Sequence, residues 1–332
     1  MRKSIFIAAA LLATGAAHAD FIPIVKSGQN VATVTVNNRS LSYSEPRGNG
    51  PLGGLIIDAA YTPYQIQSTL NGIIAPQVNS YSGVTFLSGE LKGYPTLTMR
   101  PDASGVVFVN MSGLSYKIRA RYAAKLGGII KLDCTNTTAV DNISITAQYG
   151  TSNGLIPSDK VGVTGTPSSS TDCDSNLTWV MPLLSNYLVN KLEGYADARL
   201  VSGIQSGMSS VTQKMFFQRD ANWQVGLNRL IPADKVIVFA DGSTFAIGQY
   251  VQNNLSYLIS NGQITMKLGG GVNLSPVVGV NEPPRNLAGD ALTITVSVPG
   301  LTFTANLREE VNVVWQWKCS VQNPALNCAD PR

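Results

Sequence analysis

The sequence has almost no histidine. The single one, His18, stands among the first twenty of 332 residues. Charged residues are also few, 13% of the chain, and the formal net charge is only +4. A balance so near neutral gives no electrostatic footing for nucleic acid. Apolar runs are short, and none approaches the roughly 18 to 20 residues that a membrane-crossing helix requires. Walker A and CxxC motifs are both missing, so the pattern marks neither a nucleotide phosphate loop nor a dithiol or zinc centre.

The opening stretch MRKSIFIAAALLATGAAHAD reads as a secretory signal peptide. Arg2 and Lys3 form a positive start, Ser4 to Ala13 an apolar run, and Ala17-His18-Ala19 an A-x-A cleavage site. The mature protein is expected to begin at Asp20, exported to the periplasm or secreted. His18 leaves with the leader, and the charge falls to +2, with 22 basic against 20 acidic side chains. Without an imidazole, Ser-His-Asp and Cys-His catalysis and histidine-ligated metals are excluded. The expectation is a protein that is not an enzyme and needs no cofactor or metal. Asp172, Asp174 and Asn176 open like a calcium loop, but Leu177 replaces its glycine and Leu183 its final glutamate.

Four cysteines in an exported chain suggest two disulfides. Of three pairings, Cys134–Cys173 with Cys319–Cys328 is chosen because each bond closes a local segment. Chain-entropy estimates give roughly 4 kcal/mol for the longer loop and roughly 2.5 to 3 for the shorter.

What the chain does have is strand patterning. VATVTV (31 to 36) alternates, and SEPRGNGPLGG (44 to 54) reads as a loop. Residues 55 to 78 fit a short or broken helix, with Pro63 starting a second part and Pro76 ending it. A strand series follows over 86–101, 105–126, 128–134 and 142–150. In LSYKIRARY, Leu114, Tyr116, Ile118, Ala120 and Tyr122 share one face, and Ser115, Lys117, Arg119 and Arg121 the other. KVIVFA (235 to 240) reads as a strand, and Asn261-Gly262 marks a hairpin between SYLIS and QITMKL. Residues 291 to 307 and 311 to 319 are expected to pair as a final hairpin. Glu309 and Glu310 point to opposite sides of a strand and read as solvated charges.

One pattern breaks the series. From 183 to 211, Leu184, Leu188, Leu192, Tyr195, Ala198, Val201, Ile204, Met208 and Val211 recur at helical steps. Such a helix, led by Pro182, would be roughly 45 Å long. Gly194, Gly203 and Gly207 interrupt it, each costing up to about 1 kcal/mol against Ala, which leaves room for close approach or for a guest.

The order of these elements carries a resemblance. A short amphipathic helix precedes FLSGELKGYPTLTMRPDASGVVFVNMSGLSYKIRARY and GIIKLDCTNTTAVDNISITAQYG, then a connection ending at Cys173, the long helix and further strands. This resembles the amino-terminal module of the bactericidal/permeability-increasing and lipopolysaccharide-binding proteins, and so the tubular lipid-binding superfamily. The resemblance spans roughly residues 55 to 270. It implies an α+β fold in which a highly curved antiparallel sheet wraps a long amphipathic helix, with lipid chains in the tube between. In the family a disulfide ties a strand to the start of the long helix, and Cys134 and Cys173 occupy comparable places. The strand region before the first helix and the second cysteine pair depart from the pattern.

The domains expected are the signal peptide (1–19), an N-terminal strand and loop extension (20–54), the lipid-binding-like module (55–278) and a C-terminal β-hairpin with its disulfide (279–332). The resemblance implies a lining from Leu184, Leu188, Leu192, Tyr195, Val201, Ile204, Met208 and Val211, faced by Tyr116 and Ile118. A sixteen-carbon chain buried there would gain about 12 kcal/mol before entropic costs. The partners implied are a lipid or other apolar small molecule and transient contact with a membrane surface. The alternative is an exported structural or adhesion protein without ligand.

Overall fold

The computed structural model describes residues 20–48, 50–126, 130–150, 160–173, 212–222, 224–274, 277–278 and 285–317. The chain forms two compact units, one of Gly28–Asn273 with Ala288–Glu310, the other of Met1–Ser27, Leu274–Leu287 and Val311–Arg332.

The strands are β1 (Asp20–Val36), β2 (Arg39–Pro46), β3 (Val84–Lys92), β4 (Thr96–Pro101), β5 (Val106–Leu126), β6 (Ile130–Gly150), β7 (Gly162–Cys173), β8 (Ile237–Val238), β9 (Thr244–Phe245), β10 (Gln263–Leu268), β11 (Val277–Val278), β12 (Arg285–Val298) and β13 (Leu301–Trp317). Eleven of them form one sheet in the order β11-β1-β13-β12-β10-β4-β5-β6-β7, with β2 on β1 and β3 on β5. In the smaller unit β11 pairs with Asp20 and Phe21 of β1. Val311, Val313 and Trp315 are buried there, and the Arg285 guanidinium lies 5.8 Å from the Trp315 ring centre.

The core of the larger unit follows from strand period. Val296, Ile264, Met99, Val109 and Ala147 stand in register across β12, β10, β4, β5 and β6. Ile294, Met266, Leu97, Met111 and Ile145 form the next inward row, two residues along each strand. All ten are buried. The alternation read in residues 114 to 120 is present: Leu114, Tyr116, Ile118 and Ala120 are buried, while Arg119 is exposed.

The expected strong curl of the sheet is corrected, whereas the long helix read over 182–211 lies outside the described residues. The sheet is not strongly curled. Bulges and glycine kinks at defined positions bend a sheet locally. Here the register shifts recorded lie at Phe86/Ser88, Met111/Leu114/Tyr116 and Asp141/Ser144, whereas β10–β12 and β1–β2 pair without interruption.

Residues 55 to 78 are not a broken helix. They belong to α1 (Pro51–Asn79), which is continuous through Pro63 and Pro76. Pro51 takes a first-turn position, where a missing N–H costs nothing, and Glu45 at the end of β2 accepts the Gly53 N–H at 2.7 Å. Each internal proline costs about 3 kcal/mol. Leu52, Leu55, Ile66, Leu70, Ile74 and Val78 are buried along one stripe, each contributing roughly 1.5 to 3 kcal/mol, so packing outweighs the prolines. The expected loop over 44–54 shrinks accordingly between β2 and α1.

Three further readings change. The Asn261-Gly262 hairpin is instead the end of a helix. The helices α2 (Gly226–Leu230), α3 (Ile247–Asn253) and α4 (Leu255–Asn261) precede β10, and Gly262 donates to the Leu258 carbonyl at 2.8 Å. Buried Leu258 and Ile259 hold that turn. The final hairpin turns earlier than expected, at Pro299-Gly300, where Gly300 has φ +81, and Thr295 with Thr304 and Ser297 with Thr302 bond across it. Finally, Glu309 is buried rather than solvated; Arg47 Nε donates to it at 2.5 Å and the Val272 N–H at 3.1 Å.

Candidate functional site

Tyr116 and Ile118 both lie buried on the inner face of β5. In register Tyr116 stands between Leu91 and Val140, and Ile118 between Gly89 and Thr138. Leu184, Leu188, Leu192, Tyr195, Val201, Ile204, Met208 and Val211 lie outside the described residues, as do Cys319, Cys328 and the expected leader. Cys134 is buried on β6 and is the register partner of Cys173 on β7.

An amide ladder fixes α1 beside this face. The sheet partner of β3 is β5, and its other edge meets the helix. Gln67 Oε1 accepts the Leu91 N–H at 2.8 Å, Asn71 Nδ2 donates to the Gly89 carbonyl at 3.1 Å, and Asn79 Oδ1 accepts the Phe86 N–H at 2.6 Å. Helical side chains thus satisfy backbone groups that an open strand edge would present to another chain. The Tyr116 hydroxyl donates to Asn71 Oδ1. A side chain at Gly89 would collide with both groups, since its first carbon would lie 2.0 Å from that oxygen.

Sequence reasoning missed these amides. Gln67, Asn71 and Asn79, spaced by four and eight, were visible as one helical face, but their strand partner was not.

Nearer its start, α1 is pinned by charge. Lys214 Nζ donates to Asp58 Oδ1 at 2.6 Å, and Arg229 approaches Asp58 at 3.5 Å and Asp220 at 3.9 Å. Beneath lies a cavity of about 20 Å³ lined by Leu55, Ala59, Met215, Met266, Leu268 and Leu292. That is space for a single water and not for an acyl chain. This end of the inner face is closed core.

The face continues along β6 through Val140, Ile143, Ile145, Ala147 and Tyr149, all buried. The Phe217 ring meets Tyr149 edge-on with centres 6.0 Å apart, and the Tyr149 hydroxyl donates to Met99 Sδ at 3.3 Å. Burial pushes the Tyr116 and Tyr149 phenols well above their ordinary range. The arrangement offers apolar contact and neutral hydroxyls. On the outer face, Arg121 pairs with Asp133 through two hydrogen bonds, which hold the Asp133 carboxyl below its usual value.

No protein-family model matches the chain, and no curated protein matches it. Among solved structures, that of a lipopolysaccharide binding protein aligns with 81% of this chain and 74% of that one, at 14% identity and a TM-score of 0.29. The resemblance is distant. A superposition that loose assigns neither family nor function.

Proposed function

We propose that this is an exported, non-enzymatic protein that holds a lipid or another apolar small molecule against the inner face of β5 and β6. One observation carries the reading: where the two described ends that bracket residues 174–211 meet β6. Cys173 is in register with Cys134 near the start of β6, and shortly after Thr212 the Phe217 ring touches Tyr149 near the end of β6. From Cys134 to Tyr149 the strand covers about 50 Å. The amphipathic pattern between those points in sequence, read as a helix over 182–211, would be roughly 45 Å long. A stripe of that length matches the apolar face it would lie along.

Transient membrane contact fits the solvent side of α1. Ile57, Tyr61 and Tyr64 share one helical face there, exposed by 59, 42 and 61%. The Tyr61 and Tyr64 rings lie 5.7 Å apart. Amphipathic rings of this kind favour the headgroup level of a bilayer.

A sixteen-carbon chain gains about 12 kcal/mol on burial, and association costs of several kcal/mol leave about micromolar affinity. Delipidated protein is therefore expected to bind a fluorescent sixteen-carbon fatty acid at micromolar concentration. Native mass spectrometry of untreated protein should show lipid-sized mass released on denaturation. Absence of probe binding by the folded, delipidated protein overturns the reading and leaves an exported β scaffold.

A further inference from the structure

The opposite face of the same sheet carries a second, polar feature. A groove of about 370 Å³ opens where β4, β5 and β6 run side by side. Two register rows floor it. Thr98, Asn110 and Thr146 align across the three strands, and Gly162 of β7 ends that row. Two residues along, Arg100, Phe108 and Gln148 align, about 6.7 Å from the first row. Lys160 completes the polar lining.

The chemistry of these groups converges. Phe108 holds its ring at the middle of the second row, 45% exposed, flanked by a guanidinium and an amide. An uncovered phenyl ring on a strand is a ready platform for the apolar face of a ligand. Asn110, whose Nδ2 also donates to Ser144 Oγ at 3.3 Å, offers its oxygen and a second N–H, Gln148 presents donors and an acceptor, and the two threonines add hydroxyls. The described lining holds the Arg100 guanidinium and no carboxylate. Gly162 keeps the near end clear, because a side chain there would begin 2.8 Å from the Thr146 hydroxyl.

We propose that this groove binds an acidic saccharide, a sugar ring bearing a carboxylate or a phosphate. The carbon-bound hydrogens of the ring lie on Phe108, and its hydroxyls meet Asn110, Gln148 and the threonines. Arg100 takes the acidic group in a two-pronged hydrogen bond. A neutral sugar leaves the Arg100 guanidinium unused, and a bare anion leaves the ring and amides unused.

Saturation-transfer NMR on the full chain decides the matter, with glucuronic acid and glucose 6-phosphate as probes and glucose and inorganic phosphate as comparators. Both acidic sugars should show transfer to their ring protons at millimolar concentration. Phe108→Ala should abolish it, and Arg100→Gln should weaken binding at least tenfold. Glucose should bind at least tenfold more weakly than either. Both side chains are exposed, so thermal melts of the variants should match the parent; Gln148→Ala, expected to weaken binding severalfold, serves if one does not. Silence from both acidic sugars, or unchanged transfer in Phe108→Ala, overturns the proposal. So does equal binding of glucose, which makes the groove a neutral sugar site, or equal competition by inorganic phosphate, which makes it a simple anion site. The groove and the inner face are separate, so fatty-acid binding can fail while sugar binding survives, and the reverse.

Discussion

Asn71 ties α1 to two strands at once: its Oδ1 accepts the Tyr116 hydroxyl, and its Nδ2 donates to the Gly89 carbonyl at 3.1 Å. Asn71→Leu would leave both partners unsatisfied in a partly buried place. The expected loss is about 1 to 3 kcal/mol by urea denaturation. Tyr116→Phe should cost about 1 kcal/mol, and the double variant less than the sum. Strict additivity would show that the two side chains do not act together.

The register of Cys134 with Cys173 sets up a cross-strand disulfide. Facing residues on antiparallel strands lie about 4.5 to 5.5 Å apart at Cα, within disulfide reach. Peptide mapping without reduction should recover a 134–173 cross-link. Reduction should lower stability by up to about 4 kcal/mol, the chain-entropy value for that loop. A cross-link from Cys134 to Cys319 or Cys328 would contradict the pairing.

Pro63 sits half-buried within a continuous helix, on a turn held by packing at Ala59, Thr62 and Ile66. Pro63→Ala restores a backbone donor, so the melting temperature should rise, by an amount equivalent to at most about 3 kcal/mol. A fall would mean that the fold depends on the proline.

Alkaline pH should destabilise the inner face. The Tyr116 and Tyr149 phenols are raised from their ordinary 10.0 by burial, so the native state keeps those protons to higher pH than the unfolded chain does. Stability is full below about pH 10 and falls as pH rises above it. Absorbance titration at high pH should show a late, cooperative ionisation step that shrinks in Tyr149→Phe. Early, reversible ionisation of every tyrosine would disprove the burial argument.

Much of the sheet was legible because its code is local. Alternation at 114 to 122 announced which side chains of β5 face inward, and VATVTV announced β1. The errors arose where two local signals competed. Prolines at 63 and 76 argued for breaks, but a buried stripe running from Leu52 to Val78 overrode them. Asn261-Gly262 carries the signal of both a hairpin and a helix end, and only the burial of Leu258 and Ile259 chooses between them. Glu309 looked solvated because no sequence pattern shows that Arg47, 262 positions away, donates to it.

By itself the sequence determined the strand-rich class, the inward face of β5 and the existence of a helix before β3. Those depend on side-chain period and turn chemistry, which act over a few residues. Only the tertiary structure decided that α1 seals the edge of β3, that the sheet stays open rather than tightly curled, and that Arg100, Phe108 and Asn110 share a groove with Thr146 and Gln148. Register between distant strands sets those relations, and register is a property of the folded pairing that no single strand encodes.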